Sequence, residues 1–567
     1  MQEVTEMKYI NVFIAIAMAL MVACSSTKNS PFSSQSANAG SWSGQTGVKL
    51  LVDIGGYQHT ITTRNPVVQA YFNQGLIMSF AFNHSEAVRA FLAAQQLDEA
   101  CAMCYWGEAL ALGPNMNVTS NGQAVLPPEA HAQAYEAIQK ALQLKPLVSA
   151  KERDFIDALA VRYSNDTASS RGELDIAYMN AMRELYRQYP DDNDAASLFA
   201  ESMMTTMPWD YWIDPETPKE LTREVIHVLE TVLRRAPKHP LALHLYIHAV
   251  EASSSPQRAE NAADTLLDLI PDAGHLVHMP SHIYWRIGRY HDAAEANARA
   301  VAVDEAYIAN CKVQSFYTAA YYPHNLHFLW AAYSMEGRSE AAIAAADKVA
   351  ASVSFEMIQR FPVVEFVKTI PVLTLINFGK WQEVLQQPQP SGSLQFSQGI
   401  WRYARAIAYL KLGDPEAAQA EYLLLSKIRT NADLGSLDEQ DYPATQLLQI
   451  ADELVQAEIL MARKDYTKAI TAYKTAVLLQ DQLPYMEPPF WYYPIQLSLG
   501  KALIEAGDSM QAEMVYRDNL KKFPKNGWAL LGLKQSLQMQ GKDYGEIQKK
   551  FDQAWQYADI SLTASRF

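Results

Sequence analysis

Small residues return along this chain at an interval of about 34 residues, and a period of that length limits the fold more than any local propensity does. Gly75, Ala87, Phe91 and Ala94 set the pattern. Gly288 with Tyr290, Ala293 and Ala300 repeats part of it, as do Gly337 with Ala342 and Gly413 with Ala418 and Tyr422. Gly507 with Ala512, Tyr516 and Pro524 gives another copy. Pro190, Pro237 and Pro271 fall where copies close, the last two one period apart. Small residues let paired helices approach, and proline punctuates between pairs because it cannot continue a helix. No segment shows sustained strand alternation. Three stretches interrupt the array: 113–128, 308–322 and 388–397.

The ends and the bulk place the chain. Lys8 precedes an apolar run from Val12 to Val22, too short for a spanning helix and of the length of a signal core. Ala23-Cys24 followed by Ser25, Ser26 and Thr27 resembles a bacterial lipoprotein signal, with Met21-Val22-Ala23 as the lipobox and Cys24 as the lipidated residue. An uncleaved N-terminal anchor is the alternative; on both readings the rest faces an extracytoplasmic compartment. The expected divisions are a signal peptide over 1–23, a tether and extension over 24–65, and helical arrays over 66–350 and 351–567. The formal charge of −15, without a basic run, argues against nucleic acid as partner. Cys101 and Cys104 are read as two small buried helix residues, with a local disulfide and a catalytic pair as alternatives.

The glycine–alanine–aromatic–alanine spacing resembles the tetratricopeptide repeat. It implies an all-α fold, an α-solenoid built as a superhelix of helical hairpins. Nine of the 13 histidines lie between His239 and His327. In the repeat register His244, His248 and Glu251 take positions 5, 9 and 12 of one unit. His275, His278 and His282 take 2, 5 and 9 of the next, and His324 and His327 take 2 and 5 of another. These positions line the concave groove in tetratricopeptide proteins, and the resemblance implies the same here. Glu201 falls on the same wall. The packing positions Leu243, Tyr246, Ile247 and Val250 are apolar, as are Leu326, Leu329, Trp330 and Tyr333, so the register rests on independent residues. Helical His-x3-His pairs are metal-ligand spacings, and imidazole with carboxylate suits zinc, copper, nickel or iron. Eight candidates exceed one tetrahedral site, so either two metals bind or some histidines orient others. Pro280 should kink its helix. His227, His239 and His291 are not singled out.

The stretches YFNQGLIMSFAFNHSEAVRAF (from Tyr71), CAMCYWGEALALGPNMN (from Cys101), HLVHMPSHIYWRIGRY (from His275) and YYPHNLHFLWAA (from Tyr321) resemble a family of bacterial tetratricopeptide-repeat lipoproteins. The likeness implies the fold over roughly 55–540 and leaves activity open. It places His84 and the PWDYW segment from Pro208 in the family pattern. Locally, His84 reads as a residue of a capped turn, and PWDYW as core. The expected function is a cell-envelope binding scaffold, lipid-anchored at the N-terminus, with a histidine-rich transition-metal site and a protein or peptide in the groove. A metal-free interaction scaffold is one alternative. A metal-dependent hydrolytic or redox enzyme using Glu251 or Glu201 as base is the other, though no standard catalytic motif supports it.

Overall fold

The computed structural model describes residues 46–51, 54–117, 128–165, 169–311 and 316–567. Cys24, the signal segment and most of the tether lie outside them. The described chain is almost wholly helical. Its strands are two short antiparallel segments, Trp212–Asp214 and Thr217–Pro218, formed where the chain turns back at Pro215–Glu216, just after PWDYW. No described helix is long and apolar enough to cross a membrane.

The chain divides into two compact units. The first holds the described residues up to Ile283 together with Arg299–Tyr322, and the second holds Tyr284–Ala298 with Pro323–Phe567. The division therefore runs through the helices Pro280–Arg286, Tyr290–Cys311 and Phe316–Glu336. It falls well before the 350/351 boundary drawn from the repeat pattern.

In the first unit, helices pair in sequence order: Pro66–Phe80 with His84–Leu97, Ala102–Ala111 with Pro128–Leu144, Ala150–Ala160 with Arg171–Gln188, and Asn193–Thr206 with Glu220–Arg235. The second unit does the same, for example with Gln395–Lys411 against Pro415–Asn431 and Ala444–Ala462 against Tyr466–Asp481. Both units are thus stacks of tetratricopeptide-type hairpins. The periodic small residues explain why. A Cβ on Gly75 would meet the Phe91 ring at 2.6 Å, and one on Gly107 would meet it at 2.3 Å. Phe91 is fully buried between these two bare helix faces. Tyr516 sits in the same way between Gly500 and Gly532, at 2.4 and 2.2 Å. One aromatic clamped by two glycines, each 16 positions away, locks a hairpin to its successor.

Local chemistry sets the ends. Asn83 caps His84–Leu97 by accepting from the Glu86 N–H, and Ser149 and Ser170 each form a full capping box. Pro280 breaks its helix as expected, into Gly274–His278 and Pro280–Arg286.

Cys101 and Cys104 are buried, as read from the sequence, but they are joined in a disulfide. Cys101 caps the helix Ala102–Ala111, and the wound first turn brings the two sulfurs together.

Candidate metal centre

The helix Pro240–Glu251 is buried along its whole length, including the face that the repeat register assigns to an open groove. Its Leu243, Tyr246, Ile247 and Val250 pack inward as the register requires. The opposite face is covered by the turn at residues 81–83, far away in sequence. His244 lies 4.5 Å, ring to ring, from Phe82, and its Nδ1 is 2.6 Å from the Phe80 carbonyl. A carbonyl can only accept, so Nδ1 carries the proton and Nε2 presents a lone pair. His248 is set in the same way, with Nδ1 2.7 Å from the Glu251 carboxylate. Both Nε2 atoms are buried without a hydrogen-bond partner among the described residues. Burial holds both imidazoles well below the usual histidine range, helped for His244 by the neighbouring His248 and for His248 by His282.

His275 completes a triangle. One ring nitrogen from each of His244, His248 and His275 can be chosen so that all three lie within 4.8 Å of one another. A first-row ion about 2.0–2.1 Å from each nitrogen needs separations of about 3.3 Å, within reach of small rotations. The backbone at His275 is pinned, because its N–H donates to the Tyr317 hydroxyl at 2.9 Å. That hydroxyl donates in turn to Asp304 Oδ1 at 2.7 Å. Donating the second ring N–H to a carbonyl or carboxylate, as His244 and His248 do, is the usual way a protein orients imidazole toward a metal.

Two aromatic residues wall the triangle, and both are strained. Phe82 stacks on His275 at 5.4 Å, and Trp209 meets His248 edge-on at 5.0 Å. Their φ angles are 54° and 58°, the left-handed region that costs a non-glycine residue about 1–2 kcal/mol. Trp209 Nε1 donates to Asn117 Oδ1, and Asn117 Nδ2 donates to the Tyr321 hydroxyl. The Tyr321 ring lies 4.6 Å from His275. No helical spacing placed Phe80, Phe82, Asn117 or Tyr321 here; the available signals were the family-like stretches that contain them, and PWDYW, which read as core.

Glu251 does not stand at the triangle as a ligand. Its Oε1 holds His248, and its Oε2 approaches His282 Nδ1 at 2.5 Å, an ion-pair contact rather than a well-aligned hydrogen bond. His282 Nε2 is in turn 3.0 Å from His278 Nε2. All five histidines of this group are at most 3 % exposed.

The remaining candidates are held by other contacts. His84 is satisfied on both sides, with Nδ1 2.5 Å from the Ala111 carbonyl and Nε2 3.0 Å from Asn115 Nδ2. Burial lowers it to about 4, and it packs in the turn that Asn83 caps. Glu201 is buried on Asn193–Thr206, and its carboxyl is raised to about 7. His324 and His327 belong to the second unit. There His324 lies edge-on to Phe328, and His327 stacks on Trp330 at 5.2 Å, lowered by burial to about 3. His239, set aside in the sequence, has a clear role: it shares Asp194 with His59 and Tyr57 at 2.5–2.9 Å, a buried polar node beneath the helix Asn193–Thr206.

No family model and no curated protein matches the chain. Among solved structures 149 chains match. The human IFIT1 dimer with PPP-AAAA shares 11 % identity at a TM-score of 0.31, over 87 % of this chain and 91 % of that one. Yeast Tom70 shares 10 % at 0.26, over 86 % and 91 %. Naa15/Naa10 bound to HypK-THB shares 14 % at 0.21, over 84 % and 69 %. At these TM-scores the likeness adds nothing to the helical architecture already described.

Proposed function

We propose that this chain is a cell-envelope binding protein of helical-repeat type whose first unit holds a transition-metal ion on His244, His248 and His275. The observation that carries the reading is the pair of buried Nε2 lone pairs on His244 and His248. Each is left bare while the other ring nitrogen is anchored, on Phe80 and Glu251 respectively. A buried acceptor without a partner costs about 1–3 kcal/mol, and a coordinated cation removes that penalty. Neutral imidazole is also the ligating form, and burial favours it. Zinc, copper, nickel and iron all accept such a donor set. The envelope location is supported by the lipobox-like residues before Cys24 and by the Cys101–Cys104 disulfide, a bond that persists in oxidising compartments. The partner on this reading is a protein or peptide, since concave repeat surfaces commonly bind them.

The test is metal content by mass spectrometry on untagged protein, beside a His244→Ala/His248→Ala variant checked for helicity by circular dichroism. Near-stoichiometric metal that falls by one equivalent in the folded variant supports the reading. No metal after reconstitution with all four ions overturns it and leaves a metal-free interaction scaffold.

A further inference from the structure

The segment EPPFWYYP, Glu487 to Pro494, follows the helix Tyr466–Asp481 and lines a pocket that lies wholly within the second unit. The pocket holds about 530 Å3 of empty space, its open mouth included. Four indoles wall it, Trp285, Trp330, Trp491 and Trp528, each at most 6 % exposed. Pro489, Tyr492 and Phe523 are part-exposed, so the pocket opens on their side. Two of the indoles give their N–H to the protein itself. Trp330 Nε1 donates to Thr374 Oγ1 at 2.6 Å, and Trp528 Nε1 donates to the Ser334 carbonyl at 3.2 Å. Trp491 Nε1 is buried with no acceptor among the described residues. The two amide side chains in the wall have their oxygens occupied: Arg566 Nη1 donates to Asn377 Oδ1 at 2.5 Å, and the Ile495 N–H donates to Gln480 Oε1 at 2.8 Å. What Trp491 and the amides have left to offer is N–H, set among ring faces.

We propose that this pocket binds a proline-rich peptide strand, with Trp491 Nε1–H donating to one of its carbonyls. Prolines favour the polyproline helix, which makes no internal hydrogen bonds and leaves every carbonyl free, and proline has no N–H of its own to satisfy. Such a strand brings acceptors on an apolar surface, the complement of donors among aromatic rings, and it is already extended before it binds. A carbohydrate would also stack on indole. It brings a hydroxyl proton with nearly every oxygen, however, and the amide oxygens that could accept them are occupied. Packing alone does not account for Trp491, because an unmet buried donor is costly and a phenyl ring in its place would fill the wall without one. The inference rests on the reading of the chain as a scaffold for a protein or peptide, and gives that partner a chemistry and a place. The histidine triangle belongs to the first unit and takes no part in it.

The experiment is isothermal titration of the untagged full chain with decaproline, beside a glycine–serine decapeptide and maltohexaose. Decaproline should bind and the other two should not. Trp491→Phe, which keeps a ring and removes the N–H, should weaken binding about 3- to 10-fold, the worth of one hydrogen bond. Decaproline carrying a benzophenone should crosslink within Glu487–Pro494 of the wild type, a readout that does not depend on how the variant folds. Equal affinity of Trp491→Phe and wild type, or crosslinks only outside the pocket, overturns this site and leaves the peptide-scaffold reading in place. No binding of decaproline at millimolar concentration overturns the proposal and counts against that reading too, while the metal content of the first unit is unaffected. Binding of maltohexaose instead, weakened in Trp491→Phe, overturns the proposal and assigns the pocket to carbohydrate.

Discussion

The carboxyl of Glu201 is raised from 4.5 to about 7 chiefly because burial strips its solvation. Asp175 pushes the same way, and the Arg162 guanidinium offsets only part of the effect. The folded chain therefore holds a proton that the unfolded chain has lost between these two values, so Glu201 costs stability as pH rises through that window. At about 1.4 kcal/mol per pH unit the cost reaches about 3 kcal/mol above pH 7. Glu201→Gln should thus gain on the wild type from pH 4.5 to 7 and hold a constant advantage above it, read from denaturation midpoints across pH. A difference that does not vary with pH would mean that Glu201 is ionised in the folded chain. Glu251 has the opposite part, accepting from one imidazole and pairing with another. Glu251→Gln should weaken metal binding about 10–100-fold in a competitive chelator titration, the range for loss of an orienting carboxylate. Unchanged affinity would show that Glu251 does not set the tautomer of His248. At this scale the sequence placed His244, His248, His275, His278 and His282 correctly on their helices, because helical spacing is a local property. It could not tell ligand from orienter, which depends on which nitrogen meets which neighbour.

At the scale of elements, the glycine–aromatic–glycine clamps tie hairpin to hairpin. Gly107→Ala puts a methyl 2.3 Å from the Phe91 ring, and the fully buried ring has no room to retreat. The expected loss is about 1–3 kcal/mol of stability by chemical denaturation. Phe91→Leu in the same chain should recover part of it, and equal stability of Gly107→Ala and wild type would mean that the hairpins slide freely. The spacing of these residues made the hairpin stack legible. The burial of Pro240–Glu251 was not: a repeat register assigns one face to a groove and says nothing of what fills it. Here the filler is the left-handed turn at Phe82, more than 160 positions away.

At the scale of the whole molecule, the N-terminal reading predicts that Cys24→Ala moves the protein from the membrane to the soluble fraction of the envelope. Retention in membranes would remove the lipid anchor and leave an uncleaved segment to explain it. The boundary between the two compact units passes through the long helix Tyr290–Cys311, so limited proteolysis should leave that helix intact and nick elsewhere first, as mapped by mass spectrometry of the digests. Early cleavage inside Tyr290–Cys311 would show that this helix frays.

The sequence alone determined the class of the molecule: helices from the absence of strand alternation, hairpins from the 34-residue period, and a histidine face from its register. These are properties of residues a few turns apart, which local geometry controls. Tertiary structure decided where the two units part, that Cys101 and Cys104 are bonded, and that the histidine face is sealed rather than open. It also decided which imidazole nitrogens are anchored and which are bare. The sealing of that face and the anchoring of His244 depend on contacts between segments more than a hundred residues apart, such as Phe80 with His244 and Asn117 with Tyr321. Such contacts are settled by packing and by the need to satisfy buried polar groups, and no local pattern encodes them.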